Sequence, residues 1–315
     1  MRLTLFRRGR ALGLCALLSL ALAGCATAPR SPVDAGRAAV ELAAVPFYPQ
    51  EDYQCGPAAL ATALHWSGVP ATPEALAPAL MIPARQGSLQ IELLAQTRAQ
   101  GRVPFLIPGE LRAVQAELAA GHPVVVLQNL ALDWYPQWHY AVVVGIDPAA
   151  RSVTLRSGRE RRHVVDWTVF DRTWARAQRW AMVVVRPGVL PASVLPEQVV
   201  AAAAPFEQHQ HWPVVEAVYR AAATRWPAQA VFRLGLANSR YAQGGLDEAE
   251  TLYRALVAEF PDDPVPYNNL ALLLADLGRW AEAEKLVTRA LEIGGPLRGE
   301  FEDTQRKIRE GRKAR

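Results

Sequence analysis

The stretch Gln54-Cys55-Gly56-Pro57-Ala58-Ala59-Leu60-Ala61-Thr62-Ala63-Leu64-His65-Trp66 decides how the first half of this 315-residue chain is read. A Gly-Pro step opens a helix at no loss, because a proline early in a helix lacks only an N–H that has no partner there. Beyond it Ala59, Leu60, Ala63 and Leu64 recur at helical spacing and form one buried face. A helix is therefore expected over 56–67, with Cys55 at its positive end. That position offers backbone N–H groups to an anion and is expected to lower the thiol pKa. Nucleophilic cysteine chemistry needs one thing more, a base within hydrogen-bond reach.

His139 is the candidate base. It heads the apolar run Tyr140 to Ile146, and a strand start is a rigid place from which to aim an imidazole across a cleft. His65 stands ten residues along the Cys55 helix, too far to reach back. His122 falls in a Gly-His-Pro turn, His163 among arginines, and His209 and His211 in the C-terminal helical part. No grouping offers three convergent ligands at metal-site spacing, so neither a metal nor another cofactor is expected. Trp134, Tyr135, Trp138 and Tyr140 flank His139 and read either as an aromatic wall for a substrate or as packing and loop anchors.

Around these residues the pattern is mixed. Helices are expected at 56–67, 73–80, 88–100 and 109–120. Strands are expected at 124–127, 140–146, 152–155, 163–165 and 180–185, separated by Asp-Pro and Ser-Gly turn signals. Helices first and strands afterwards argue α+β, an antiparallel sheet packed on an N-terminal helical layer. The domain runs over 44–187, a linker marked by Pro187, Pro191 and Pro196 over 188–200, and a repeat region over 201–297. The charged residues 298–315 then form a capping helix or a frayed tail. Residues 230–263 and 264–297 superimpose at an offset of 34, pairing Leu236-Ala237 with Leu270-Ala271, Gly244 with Gly278, and Glu248-Ala249-Glu250 with Glu282-Ala283-Glu284. A further step back pairs Trp212 with Leu246 and Trp280, and Pro227 with Pro261. This period, with small residues at helix crossings, resembles tetratricopeptide repeats, an all-α solenoid whose concave face suits a protein partner.

The first residues carry an arginine-rich start and the apolar run Ala11 to Ala23, the parts of a signal peptide over 1–24. The run is short for a membrane span. It ends in Leu22-Ala23-Gly24-Cys25, which resembles the bacterial lipobox. That resemblance implies cleavage before Cys25, acylation of its thiol and a membrane anchor on a tether over 25–43, with Ala26 favouring the periplasmic face of the outer membrane. Of three cysteines, Cys15 would leave with the signal and Cys25 would be acylated, so Cys55 stays unpaired and no internal disulfide is open to it. The formal charge of +4 comes entirely from Arg2, Arg7, Arg8 and Arg10; the rest holds 30 basic and 30 acidic residues. That balance argues against nucleic acid as a partner.

Val45-Pro46-Phe47 with Gln50, then Cys55-Gly56-Pro57-Ala58, then the His139-Tyr140-Ala141-Val142-Val143-Val144-Gly145 run with Asp147, together resemble the bacteriocin-processing (double-glycine-leader) peptidase superfamily. More closely they resemble lipoproteins that append tetratricopeptide repeats to that domain. The resemblance implies a papain-like fold over 44–187, with a Cys55 nucleophile, a His139 base and Gln50 helping to form the oxyanion hole. Gln50 stands five residues before Cys55, where the family commonly has six, and Gln54 is its rival. The residue that orients the histidine stays open. Where relatives carry Asp or Asn this chain has Arg156-Ser157-Gly158, so Ser157 is one candidate. Asp147 is another, although eight residues of strand span about 26 Å and would keep it from His139. Asp133 and Asp166 are also open. The expected function is an envelope cysteine peptidase hydrolysing peptide or protein substrates. The alternatives are a catalytically weak or inactive peptide-binding scaffold, and an acyl-transfer enzyme using the same dyad.

Overall fold

The computed structural model describes residues 33–34, 36–50, 54–82 and 87–313. The signal segment 1–24, Cys25 and the tether up to residue 32 lie outside the described residues. Among the described residues no helix is long and apolar enough to cross a membrane.

The first part runs β1 (Val40–Glu41), α1 (Cys55–Trp66), α2 (Pro73–Leu80), α3 (Gln90–Ala99), β2 (Val103–Leu106) and α4 (Leu111–Ala119). Then come β3 (Val124–Asn129), β4 (Trp138–Asp147), β5 (Ser152–Ser157), β6 (Glu160–Asp166), α5 (Trp167–Ala175) and β7 (Ala181–Val185). The strands form one antiparallel sheet in the order β2-β7-β3-β4-β5-β6, with β1 on β4 beside a bulge near Gly145. Because side chains alternate across a strand, the run at 140–146 serves two cores. Tyr140, Val142 and Val144 pack with Ala59, Leu60, Ala63 and Leu64 of α1. Ala141 and Val143 face Leu111, Val114 and Leu118 of α4 and Phe170 and Trp174 of α5.

The α+β class stands, but the simple order of helices before strands does not. β2 enters the sheet between α3 and α4, and α5 interrupts the strands before β7. β2 is four residues long at the sheet edge and contains Pro104, which an edge strand tolerates and a periodicity reading discards. α5 starts where Asp166 Oδ1 caps the Thr168 N–H at 2.7 Å, and it buries Trp167, Phe170 and Trp174.

Two stretches expected as connectors are built into the structure. Val33 is buried, and Gln115 of α4 brackets the next residue, accepting from the Asp34 N–H at 2.8 Å and donating to its carbonyl at 3.1 Å. Together with β1, this ties the end of the expected tether to the sheet. In the expected linker, the buried Glu117 carboxylate accepts from the N–H groups of Ala192 (3.1 Å) and Ser193 (2.6 Å) and from the Ser193 hydroxyl. Burial pushes the Glu117 pKa up, but bonds from His122, Ser193 and Ala192 outweigh it and hold the carboxyl below its ordinary value.

The helices that follow are α6 (Pro196–Gln208), α7 (Trp212–Arg225), α8 (Ala230–Ala242), α9 (Leu246–Glu259), α10 (Pro264–Asp276), α11 (Trp280–Ile293) and α12 (Arg298–Lys313). The first helices of successive pairs start at 196, 230 and 264, the second at 212, 246 and 280, so the 34-residue period is kept in space. Ala237, Ala249, Ala271 and Ala283 are fully buried where the helices cross. α12 starts one period after α10 and buries Phe301, Thr304 and Ile308, which makes it a cap rather than a tail. The first pair does not stand apart, because Val199, Ala203, Phe206, Val218 and Tyr219 share one apolar cluster with the sheet.

Gly244 and Gly278 turn each pair at φ 79° and 75°, and Gln210 occupies the same place in the first pair at φ 57°. A side chain in that region is strained, and Gln210 is exposed. Gln210→Gly is expected to raise stability by about 0.5–1 kcal/mol in denaturant unfolding.

Candidate active site

Cys55 is the first residue of α1 and is half-buried. The helix reaches it one residue earlier than the Gly-Pro step implies, because Pro57, third in the helix, still has no N–H to lose. Gly56 is required by a close approach. A Cβ there would lie 2.5 Å from Ser88 Oγ and 2.7 Å from Ser88 Cβ. Ser88 in turn accepts, through its carbonyl, the Tyr140 hydroxyl at 3.4 Å. The start of α1 is thus pressed between the 87–89 segment and β4.

The thiol's surroundings follow from that packing. The backbone N–H groups of Tyr140, Gly56 and Cys55 itself face the sulfur, which therefore lies against the peptide joining His139 to Tyr140. The sequence leads one to expect a lowered thiol pKa. Instead, burial pushes the Cys55 thiol above its ordinary value, and the three N–H groups only partly offset it. A helix start stabilises a thiolate by a modest charge–dipole attraction, whereas desolvation acts on the whole charge.

His139 lies at the head of β4, opposite Gln128 of β3. Its Nε2 is 2.8 Å from Ser157 Oγ at the end of β5. Ser157 therefore occupies the place beside the ring, and Nδ1 makes no hydrogen bond with a described residue. Burial, reinforced by the neighbouring His163, pushes the imidazole down to about 4. Both shifts run against the charged forms, the Cys55 thiolate and the His139 imidazolium.

Gln50 is buried beside the same turn. Its N–H donates to the Gly158 carbonyl at 3.0 Å, and its Oε1 accepts from the Gly158 N–H at 3.2 Å. The turn itself is held by Arg156, whose buried guanidinium donates to the carbonyls of Ala43, Val45 and Arg161. One arginine thereby fixes both the segment leading to Gln50 and the strand leading to Ser157. Gln54 precedes the helix and makes no side-chain cap bond.

The other candidates lie elsewhere. Asp147 closes the β4–β5 turn, accepting from Ala149 and Ala150 N–H groups at 2.9 Å, at the opposite end of β4 from His139. Asp166 caps α5, and Asp133 is exposed on the β3–β4 hairpin. His65 bonds the Tyr48 hydroxyl, His122 pairs with Glu117 and His163 with Glu160. The aromatic group divides. Tyr140 is in the core, whereas Trp134, Tyr135 and Trp138 are exposed. Sequence reading passed over two contributors. The Tyr140 N–H is a backbone group with no residue-type signal. His163 is brought to the His139 side by a register that pairs it with Leu155.

Residues 42–182 match the family model described as the Peptidase_C39 like family, and 207–264 and 234–297 match a tetratricopeptide repeat model. No curated protein matches the chain. Among solved structures, a C39-like peptidase candidate from Bacillus anthracis is 18% identical, with 48% of this chain and 98% of that chain covered and a TM-score of 0.40. The Yersinia enterocolitica type III secretion chaperone SycD, in complex with a peptide of the translocator YopD, is 23% identical over 37% of this chain and 93% of that chain, with a TM-score of 0.34. PcrH from Pseudomonas aeruginosa is 19% identical over 36% and 89%, also at 0.34. The chain thus carries a stretch similar to the Peptidase_C39 like family, followed by stretches similar to tetratricopeptide repeats.

Proposed function

We propose that this protein is an envelope lipoprotein with cysteine-peptidase activity, in which Cys55 is the nucleophile and His139 the general base. The observation that carries the reading is the Cys55 sulfur against the Tyr140 N–H, one residue from a histidine whose Nε2 is pinned by Ser157. In the tautomer that carries its proton on Nε2 and donates it to Ser157 Oγ, Nδ1 is the nitrogen left to take the thiol proton. The sulfur then attacks the scissile carbonyl carbon. The developing oxyanion is held by backbone N–H groups at the start of α1, with Gln50 Nε2 as a further donor. His139 returns the proton to the leaving amine, and the acyl-enzyme is hydrolysed by a water that His139 deprotonates. Incubation with a peptide library, read by mass spectrometry of the products, tests this directly. New termini formed by the wild type and absent with Cys55→Ala support it, and acyl transfer to amines in place of hydrolysis would replace it.

The pH dependence has a definite sign. A base pushed down to about 4 stays unprotonated through mildly acidic conditions, so kcat/KM should hold as pH falls and be lost only near that value. An acid limb at the ordinary histidine value of about 6.5 would contradict the buried-base arrangement.

A second reading, a peptide-binding scaffold with little turnover, draws on the serine beside the histidine and on the raised thiol. Retention of substrate binding with no acylation of Cys55 would favour it. The proposed anchor is acylated Cys25 at the periplasmic face of the outer membrane. Eight residue steps separate Cys25 from the buried Val33, at most about 28 Å of extended chain, which would keep the site close to the bilayer. Metabolic labelling with palmitate, lost in Cys25→Ala, checks this. The repeats would recruit a protein or peptide partner to the same surface.

A further inference from the structure

Of the large apolar side chains that the structure leaves exposed, five crowd into nine residues of the β3–β4 hairpin: Leu130, Leu132, Trp134, Tyr135 and Trp138. Single exposed apolar residues are ordinary, but a contiguous group marks an interaction surface. Trp134 is 81% exposed and Tyr135 73%, and their rings lie 6.1 Å apart.

The hairpin is built to hold them out. Asn129, 1% exposed at the end of β3, accepts through Oδ1 from the N–H groups of Ala131 at 3.1 Å and Gln137 at 2.9 Å, and donates through Nδ2 to the Leu132 carbonyl. Leu130 N–H bonds the Gln137 carbonyl, Tyr135 N–H bonds the Leu132 carbonyl, and Arg176 donates to the Asn129 carbonyl. A loop so fully bonded loses little entropy when something docks on it. It also runs straight into the site, since Trp138 precedes His139 in β4.

We propose that this hairpin is the substrate-docking element of the Cys55–His139 site, and that it takes an extended peptide segment with bulky apolar side chains beside the scissile bond. This rests on the peptidase reading above. Two observations favour a peptide over a membrane surface. The patch is continuous with His139. Residues 130–138 also carry one acid, Asp133, and no base, so anionic headgroups would be repelled where a basic or neutral peptide would not. Large rigid aromatic rings give contact area at low conformational cost, which is why such residues dominate recognition hot spots.

Binding is measured in the full chain carrying Cys55→Ala, so that the result does not depend on turnover. The probes are a short peptide alternating Leu or Phe with Ser and containing one Lys, and its counterpart with Ala in place of Leu and Phe. The apolar peptide should bind more tightly than its counterpart. Adding Trp134→Ser and Tyr135→Ser should weaken it by about tenfold or more. Leu277→Ser, exposed on the repeats, should leave binding unchanged. Matching unfolding curves show that the variants fold alike. Equal affinity with and without the hairpin residues overturns the proposal. So does hairpin-dependent capture of the protein by phosphatidylglycerol vesicles, or a hairpin-dependent dimer in sedimentation, because either gives the patch another occupant. If hairpin-dependent binding holds while the wild type forms no acyl-Cys55, docking stands and the catalytic reading alone fails.

Discussion

Replacing His139 with alanine is expected to lower kcat/KM for peptide hydrolysis by about 10²- to 10⁴-fold, the usual contribution of a positioned general base. The reason lies in the thiol. Burial pushes the Cys55 thiol up and disfavours its thiolate, so the proposed reaction would depend on proton transfer. His65 is bonded to Tyr48, His122 to Glu117 and His163 to Glu160, so none of these three stands free to substitute. The loss should fall on kcat, with binding of the peptide retained, since His139 is asked only to move a proton. Steady-state kinetics with one peptide substrate separates the two. A variant within a few-fold of the wild type would show that Cys55 is activated by something other than this ring.

The second large effect runs the other way. Ser157→Asp places a carboxylate where a neutral hydroxyl now lies 2.8 Å from His139 Nε2. A serine can accept an Nε2–H but carries no charge to stabilise the imidazolium that the proposed proton transfer to Nδ1 would form. An adjacent carboxylate favours the charged form, lifts the imidazole from about 4 towards its ordinary value, and should raise kcat/KM at neutral pH by about tenfold or more. The acid limb of the rate profile should move up with it, and the imidazole titration followed by NMR gives the same shift independently. If neither the rate nor the limb moves, Ser157 touches the ring without governing its charge.

Much of the fold is legible in the residues themselves. The Gly-Pro step and the Ala59, Leu60, Ala63, Leu64 face specify α1, and the 34-residue spacing specifies the paired helices, because both patterns are local and periodic. The remaining parts depend on distant partners. β1 is two residues long and exists only through its pairing with β4 near Gly145, and β2 is a four-residue edge strand containing a proline. The expected linker is part of the fold because Glu117, far back in the chain, collects its N–H groups.

The candidate site divides in the same way. Cys55 and His139 are suggested by residue type and setting. Ser157 is one of several candidates by resemblance alone, and its place beside the ring is fixed only once β5 is laid against β4 and the Arg156 anchor holds its end. The direction of the thiol shift is not legible in the sequence, because a helix start is visible there and the burial opposing it is not.

The central claim is that His139 activates Cys55 for attack on a carbonyl. Reaction with a p-nitrophenyl ester, quenched in acid and followed by intact-mass analysis and peptide mapping, reads that step alone. Acylation mapped to Cys55, at a rate about 100-fold or more above that of His139→Ala, is the result expected of the proposed pair. No acyl-Cys55, or equal acylation rates in the two proteins, would contradict it.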